Sequence, residues 1–127
     1  MARRLPGIRW AILPALVAVL AACGGSSGGG ASKATKTATN GAITIDAFDV
    51  HYDIGTIKTA AGPLTVTLDN KGAIDHTFKI EGTPLTLKAG GGKSASGTVT
   101  LKPGTYSFEC TIPGHAAMGM KGTVIVS

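Results

Sequence analysis

Apolar and polar residues alternate with a period of two along several short segments of residues 41–127. The alternation is clear in four segments, which are AITIDAFDV, GPLTVTLDNKG, SGTVTLKPG and GTVIVS. Such a pattern gives a strand one buried and one solvated face, and turns rich in Gly, Pro, Asn and Asp separate strands. No segment after the first apolar run keeps a helical periodicity. The pattern therefore predicts an all-β sandwich or barrel.

Two further alternating segments carry side chains that bind metals. DHTFKI places His76 on the same face as Phe78, and TYSFEC places Cys110 on the same side as Phe108. His115 follows Cys110 by five residues, within CTIPGHAAMGM. In a β-sandwich, the start of one strand and the loop after another can meet at one end of the sheets. We therefore expect the thiol and the two imidazoles to lie close together.

The side chains in these segments form a soft nitrogen and sulfur set. They comprise the thiol of Cys110, the imidazoles of His76 and His115, and the thioethers of Met118 and Met120. Two histidines and a cysteine with a weak axial methionine suit copper in electron transfer. Zinc more often takes several Cys or His ligands, and calcium takes oxygen ligands. The set therefore favours copper, with either methionine available as the fourth ligand.

At these segments the chain resembles a known family. DHTFKI and YSFECTIPGHAAMGMKGTVIV look like the two copper-binding segments of the plastocyanin-like cupredoxins, and PGH and GMKG are the most specific parts. The resemblance implies a Greek-key β-sandwich with one type 1 copper that carries one electron at a time. It implies His76 and His115 as imidazole ligands, Cys110 as the thiolate and Met120 as the axial ligand. A shorter spacing, found in some relatives, would select Met118 instead.

Two other polar residues near these segments have different expected roles. In the resembled family, the residue after the first histidine often ties the two ligand segments together and is often Asn. Here that residue is Thr77, and Thr111 follows the cysteine. His51, in DVHYD, matches no motif and is predicted to lie at the surface or at a sheet edge.

The first 40 residues have a different composition from the rest of the chain. Residues 1–22 contain three arginines and then a short apolar run, which ends in LAAC at Cys23. This pattern resembles a lipoprotein signal peptide, so we expect cleavage before Cys23 and acylation of that residue. An ordinary signal peptide that ends near a cysteine is the alternative. Residues 23–40, rich in Gly, Ser, Thr and Ala, are predicted to be a flexible tether, and 41–127 the folded domain.

The net charge of +5 does not describe the predicted domain. Three of the 12 basic residues are arginines in residues 1–22 and two are tether lysines, which leaves seven lysines against seven acidic residues. A balanced domain gives no electrostatic argument for nucleic acid binding. If Cys23 is acylated, Cys110 has no disulfide partner, and a bound metal would protect its thiol.

These observations lead to one main functional prediction and several alternatives. The main prediction is a monomeric, extracytoplasmic electron carrier, anchored to the membrane by lipid, that serves redox partner proteins. The first alternative is a copper-binding or copper-delivery protein, and the second is a metal-free structural lipoprotein. A copper oxidase needs a second centre rich in histidine, and only His51 remains after one site is built. The chain is therefore not expected to be an enzyme.

Overall fold

A computed structural model describes residues 33–127, and these residues form ten strands without a helix. The predicted signal peptide, Cys23 and the first part of the tether lie outside them. Within 33–127, no helix is long and apolar enough to cross a membrane. The strands, in chain order, are β1 Ala34–Thr37, β2 Ala42–Phe48, β3 His51–Tyr52, β4 Ile54–Thr59, β5 Gly62–Asn70, β6 His76–Ile80, β7 Thr86–Ala89, β8 Ser94–Leu101, β9 Gly104–Glu109 and β10 Lys121–Val126.

The strands form two sheets, whose apolar faces enclose one core. The larger sheet has the order β1-β4-β10-β9-β6-β7, and the smaller has the order β3-β2-β5-β8. Three pairs are parallel, which are β1 with β4, β4 with β10, and β2 with β5. The other strand pairs are antiparallel. The predicted all-β Greek-key sandwich is confirmed.

Alternating side chains from both sheets fill the core, as the sequence pattern predicts. Leu64, Val66 and Leu68 point inward from β5 and have no exposed surface. Tyr52 packs edge-on against Phe78 and Phe108, with ring centroids 5.8 Å apart in each pair. Such aromatic clusters contribute more than their buried area alone. The cluster joins β3 to β6, which begins with His76, and to β9, which Cys110 directly follows.

The alternation did not predict β3, β4 and β7. β3 has two residues and β7 has four, which is too short for a periodic pattern to be recognised. β4 has the sequence IGTIKT, in which Ile54 and Ile57 are both buried although they are three positions apart. Their positions depart from strict period-two alternation, so this strand becomes evident only in the folded chain.

β1 lies within the segment predicted to be a flexible tether, and this part of the prediction is wrong. Ala34–Thr37 pairs in parallel with β4 at the edge of the larger sheet. Two β-branched threonines favour the extended conformation, and β4 offers an unpaired edge to receive it. Lys36 also forms an ion pair with Asp53 and donates to the carbonyl of Thr44 at 3.1 Å. Pairing with β4 therefore orders this polar segment although it buries little apolar surface.

Candidate metal centre

The three predicted ligands with nitrogen or thiol donors meet at one end of the sandwich. His76 begins β6, and Cys110 directly follows β9, the neighbouring strand. His115 lies on the connection from β9 to β10, and residues 111–119 are called the ligand loop below. One potential ligand atom from each of His76, Cys110 and His115 lies within 4.8 Å of the others. The sheet register therefore assembles a site from residues up to 39 positions apart.

Hydrogen bonds within the backbone fold the ligand loop tightly. Cys110 N–H donates to the Met120 carbonyl at 2.9 Å, and Met120 N–H donates to the His115 carbonyl at 3.1 Å. His115 N–H in turn donates to the Ile112 carbonyl at 3.1 Å. Gly114 has a φ of 86°, which a residue with a side chain rarely adopts. The turn before His115 therefore favours glycine, and the loop closes back onto Cys110.

The ring of His76 shows that this site fits a metal. His76 has no exposed surface, and within residues 33–127 its Nδ1 is the one buried side-chain polar atom without a hydrogen-bond partner. A buried polar atom without a partner costs about 1–3 kcal/mol. Its Nε2 lies 3.4 Å from Asp49 Oδ1. A proton on Nε2 satisfies this contact and leaves the Nδ1 lone pair free to bind a metal.

Asp49 supports the His76 ring from a neighbouring turn. Its carboxylate accepts from Ala73 N–H at 3.0 Å and from Ile74 N–H at 3.4 Å. The hydrogen bond from Ala73 is the main cause that holds the pKa of Asp49 below its ordinary value, and contacts from Ile74 and His76 add to it. A Cβ at Gly72 would lie 2.1 Å from the carboxylate, so a side chain at this position would displace Asp49 from its contact with His76.

The Cys110 thiol is enclosed and receives polar contacts from β6. Only 1% of Cys110 is exposed, and the amide nitrogen and hydroxyl oxygen of Thr77 each lie 3.5 Å from its sulfur. Thr77 Oγ1 also accepts from Thr111 N–H at 2.7 Å. The tie between the two ligand segments, considered at Thr77 in the sequence, is present. Hydrogen bonds to a ligand sulfur tune the properties of its metal.

The two methionines have opposite environments. Met120 has no exposed surface, whereas Met118 is 67% exposed. The backbone of Met120 bonds to both Cys110 and His115, which places this residue beside the site. Burial therefore favours Met120 over Met118 for the axial position.

Two residues of this region were not singled out from the sequence. Asp49 follows β2 directly and gave no motif. Tyr52 donates its hydroxyl to the Thr77 carbonyl, and burial, followed by the charge of Cys110, raises the pKa of its phenol. His51, predicted to be at the surface or at an edge, is exposed in edge strand β3, where it stacks on Phe48.

The fold and the site together define a type 1 blue copper protein of the cupredoxin class. Two imidazoles and one thiolate are the donors that such a site uses, and the cluster fits a single copper. The family model described as copper binding proteins, plastocyanin/azurin family, matches residues 39–127. The chain belongs to this family.

Similar proteins agree with this assignment. The chain is 54% identical to auracyanin-B of Chloroflexus aurantiacus over 35 residues, in a match that covers 25% of this chain and 15% of that protein. A crystal structure of dithionite-reduced auracyanin from the photosynthetic bacterium Roseiflexus castenholzii shares 28% identity and a TM-score of 0.63, over 71% of this chain and 98% of that one. A structure of auracyanin B, at 21% identity, has a TM-score of 0.60 over 77% and 92% of the chains and shares the fold.

Proposed function

We propose that the protein is a membrane-tethered carrier that exchanges single electrons with redox partner proteins outside the cytoplasm. His76, Cys110, His115 and Met120 are the proposed copper ligands, with Cys23 as the lipid anchor. The observation that carries the proposal is the buried Nδ1 of His76, which lacks a partner and lies with Cys110 and His115 in one cluster. When bound there, copper supplies one-electron exchange between Cu(I) and Cu(II).

The residues around the cluster hold the ligands in a fixed arrangement. Asp49 orients the His76 ring, and Thr77 joins the start of β6 to the ligand loop. The Met120 backbone bonds to Cys110 and His115, which closes that loop. A site held in this way changes little in shape between two oxidation states. Small structural change favours fast electron exchange and supports the carrier function.

One side of the site is open to a partner. His115 is partly exposed, whereas His76 is fully buried. Around His115 the ligand loop presents Pro113, Ala117 and the exposed side chain of Met118. A small apolar rim with flexible Met118 suits weak, short-lived docking by a redox protein. Electrons would enter and leave through the His115 edge.

The relatives and the N-terminal sequence support the two remaining parts of the proposal. The crystal structure of the Roseiflexus castenholzii relative is of its dithionite-reduced form, which agrees with a redox role for this class. The LAAC sequence that ends at Cys23 resembles a lipoprotein processing site. Acylation there would hold the domain at the outer face of a membrane. We further propose that the chain acts as a monomer and catalyses no reaction of its own.

Voltammetry of the copper-loaded protein, combined with a copper-transfer assay, tests this function against copper delivery. A carrier should give a reversible one-electron wave with fast exchange and should keep its Cu(I) when a Cu(I) chelator such as bicinchoninate is added. Rapid loss of Cu(I) to the chelator, together with slow electron exchange, would instead support delivery.

A further inference from the structure

The direction of β1 determines where the N-terminal segment joins the domain. β4 and β10 are parallel, and β10 begins at Lys121, directly after the proposed ligand Met120. β1 is parallel to β4, with Ala34 opposite Ile54 at the first residue of each strand. All three strands therefore start at the end of the sandwich that holds the metal centre, which is called the copper pole below.

Side-chain contacts at Lys33 confirm this position. The Lys33 ammonium group donates to the carbonyl of Gly119, the last residue of the ligand loop. A Cβ on Gly55 would lie 2.5 Å from the Lys33 Cβ, so the segment passes close over the start of β4. Burial lowers the pKa of Lys33, and repulsion from nearby Lys121 lowers it further. The chain thus reaches the domain in direct contact with the ligand loop.

Pairing of β1 with β4 moves the point at which the N-terminal segment joins the domain from one end of the sandwich to the other. β2 ends beside Asp49, which contacts His76, so its first residue, Ala42, lies at the end remote from the copper pole. Without β1, the chain would leave the sandwich near Ala42. Ala34–Thr37 brings it back along the edge of the larger sheet to the copper pole. The nine residues of β5 indicate that the two ends are roughly 30 Å apart, at about 3.4 Å per residue.

The length of the segment before β1 limits the distance of the copper pole from the anchor. Lys33 follows Cys23 by ten positions. Even fully extended, ten residues span only about 33–36 Å. This distance is close to the length of the domain itself. The end of the domain to which the segment is attached should therefore lie nearer the membrane than the opposite end. The ammonium groups of Lys33 and Lys121 at this end would also favour anionic lipid headgroups.

We infer that the anchor holds the copper pole towards the membrane, so that the protein serves a redox partner embedded in that membrane. The inference rests on the proposed acylation of Cys23. It assigns β1 a role beyond stability, because this strand alone turns the attachment point from the remote end to the ligand loop. A partner whose electron-exchanging surface lies near the bilayer fits this orientation better than a freely diffusing one.

Energy transfer to labelled lipid measures this orientation directly. The full chain, acylated at Cys23 and loaded with copper, is bound to phosphatidylcholine–phosphatidylglycerol vesicles that contain a headgroup acceptor dye. A donor dye is attached through Ala117→Cys in the ligand loop or through Lys102→Cys, both exposed positions. Lys102 lies between β8 and β9, at the remote end. Ascorbate keeps the copper as Cu(I), so the coloured cupric form does not quench the dye.

Transfer efficiency should be at least about twofold higher from position 117 than from position 102, because the two positions lie at opposite ends of the sandwich, roughly 30 Å apart. Equal transfer, or higher transfer from position 102, from vesicle-bound protein would overturn the inference while leaving the anchored carrier intact. Protein that does not remain with the vesicles would contradict the anchor, and the inference would fall with it. The two failures are therefore distinguishable.

Two variants of the tether provide matched controls. Thr35→Pro removes a backbone donor from β1 and should detach this strand from β4. The chain would then emerge near Ala42, 19 positions after Cys23, and the ratio of the two transfer efficiencies should fall to about one or below. Ten added Gly and Ser residues after Gly30 should bring the ratio close to one. An unchanged ratio in Thr35→Pro, with β1 shown to be detached by hydrogen exchange, would also overturn the inference.

Discussion

The two proposed histidine ligands lie in regions of opposite character. His76 is fully buried at the start of a strand, with the Asp49 carboxylate behind it and β7 and β9 beside it. His115 is partly exposed in a loop in which Pro113, Ala117 and Met118 are exposed. The difference agrees with the proposed function, in which the strand side fixes the geometry and the loop side exchanges electrons. Each prediction below tests this division.

Replacing each histidine by glycine should have the largest effect and should separate the two regions. Both His76→Gly and His115→Gly should lose the blue colour of the parent, because each removes one ligand. Added imidazole should restore colour in His115→Gly, whose cavity opens to solvent, but not in His76→Gly, whose cavity is enclosed. Visible spectra of the Cu(II) proteins with increasing imidazole test this. Equal rescue of both variants would contradict the division.

The methionines give the next largest expected effect. Met120→Ala removes a fully buried side chain and should lower the free energy of unfolding by about 2–5 kcal/mol. It should also change the Cu(II) spectrum, because it removes the proposed axial ligand. Met118→Ala is the matched control, and its exposed side chain predicts a change below about 0.5 kcal/mol. Denaturant unfolding and EPR spectra are the measurements. A spectrum that changes in Met118→Ala but not in Met120→Ala would select Met118 as the ligand.

Asp49 should have a smaller effect, confined to the strand side of the site. Asp49→Ala removes the partner of His76 Nε2, and loss of such a partner typically lowers metal affinity about 10- to 100-fold. Asp49→Asn keeps an acceptor oxygen and should retain more of the affinity, with a higher reduction potential because a negative charge is lost. Competition with a copper chelator and voltammetry measure both quantities. An unchanged affinity in Asp49→Ala would show that the ring is oriented without this residue.

Thr77→Val should give the smallest effect of the four. Valine keeps the shape of Thr77 but removes the hydroxyl that bonds to Thr111 and lies near the Cys110 sulfur. The loss should lower the free energy of unfolding by about 1 kcal/mol and shift the thiolate-to-copper band. Denaturant unfolding with visible spectra of the same samples tests both. An unchanged band position would show that only the backbone N–H of Thr77 influences the sulfur.

The strands with period-two alternation, and the cluster of His76, Cys110 and His115, could be predicted from sequence. Period-two alternation identifies long strands that are half buried, such as β5. The ligand loop is contiguous, so the spacing from Cys110 to Met120 is visible directly. The alternation and the ligand loop depend on local order along the chain. The place of His76 in the cluster depends on the pairing of β6 with β9, and the resemblance to the cupredoxins implied it.

The features that escaped prediction depend on contacts between distant segments. Asp49 reaches His76 because the strands bring residues 27 positions apart together. The turn that presents Asp49 holds Val50 at a φ of 67°, an uncommon conformation for a β-branched residue and therefore difficult to expect. β1 forms because β4 offers a free edge, and its own composition resembles that of a tether. Tertiary pairing decides each of these cases.

The spectrum of the Cu(II) protein and of its Cys110→Ser variant tests the central claim most directly. The parent should show an intense thiolate-to-copper charge-transfer band in the visible region and an EPR spectrum with narrow copper hyperfine splitting. Cys110→Ser should lose both features, because serine supplies no thiolate. A colourless parent with the wide splitting of an ordinary copper site would contradict the account, as would a blue band that survives in Cys110→Ser.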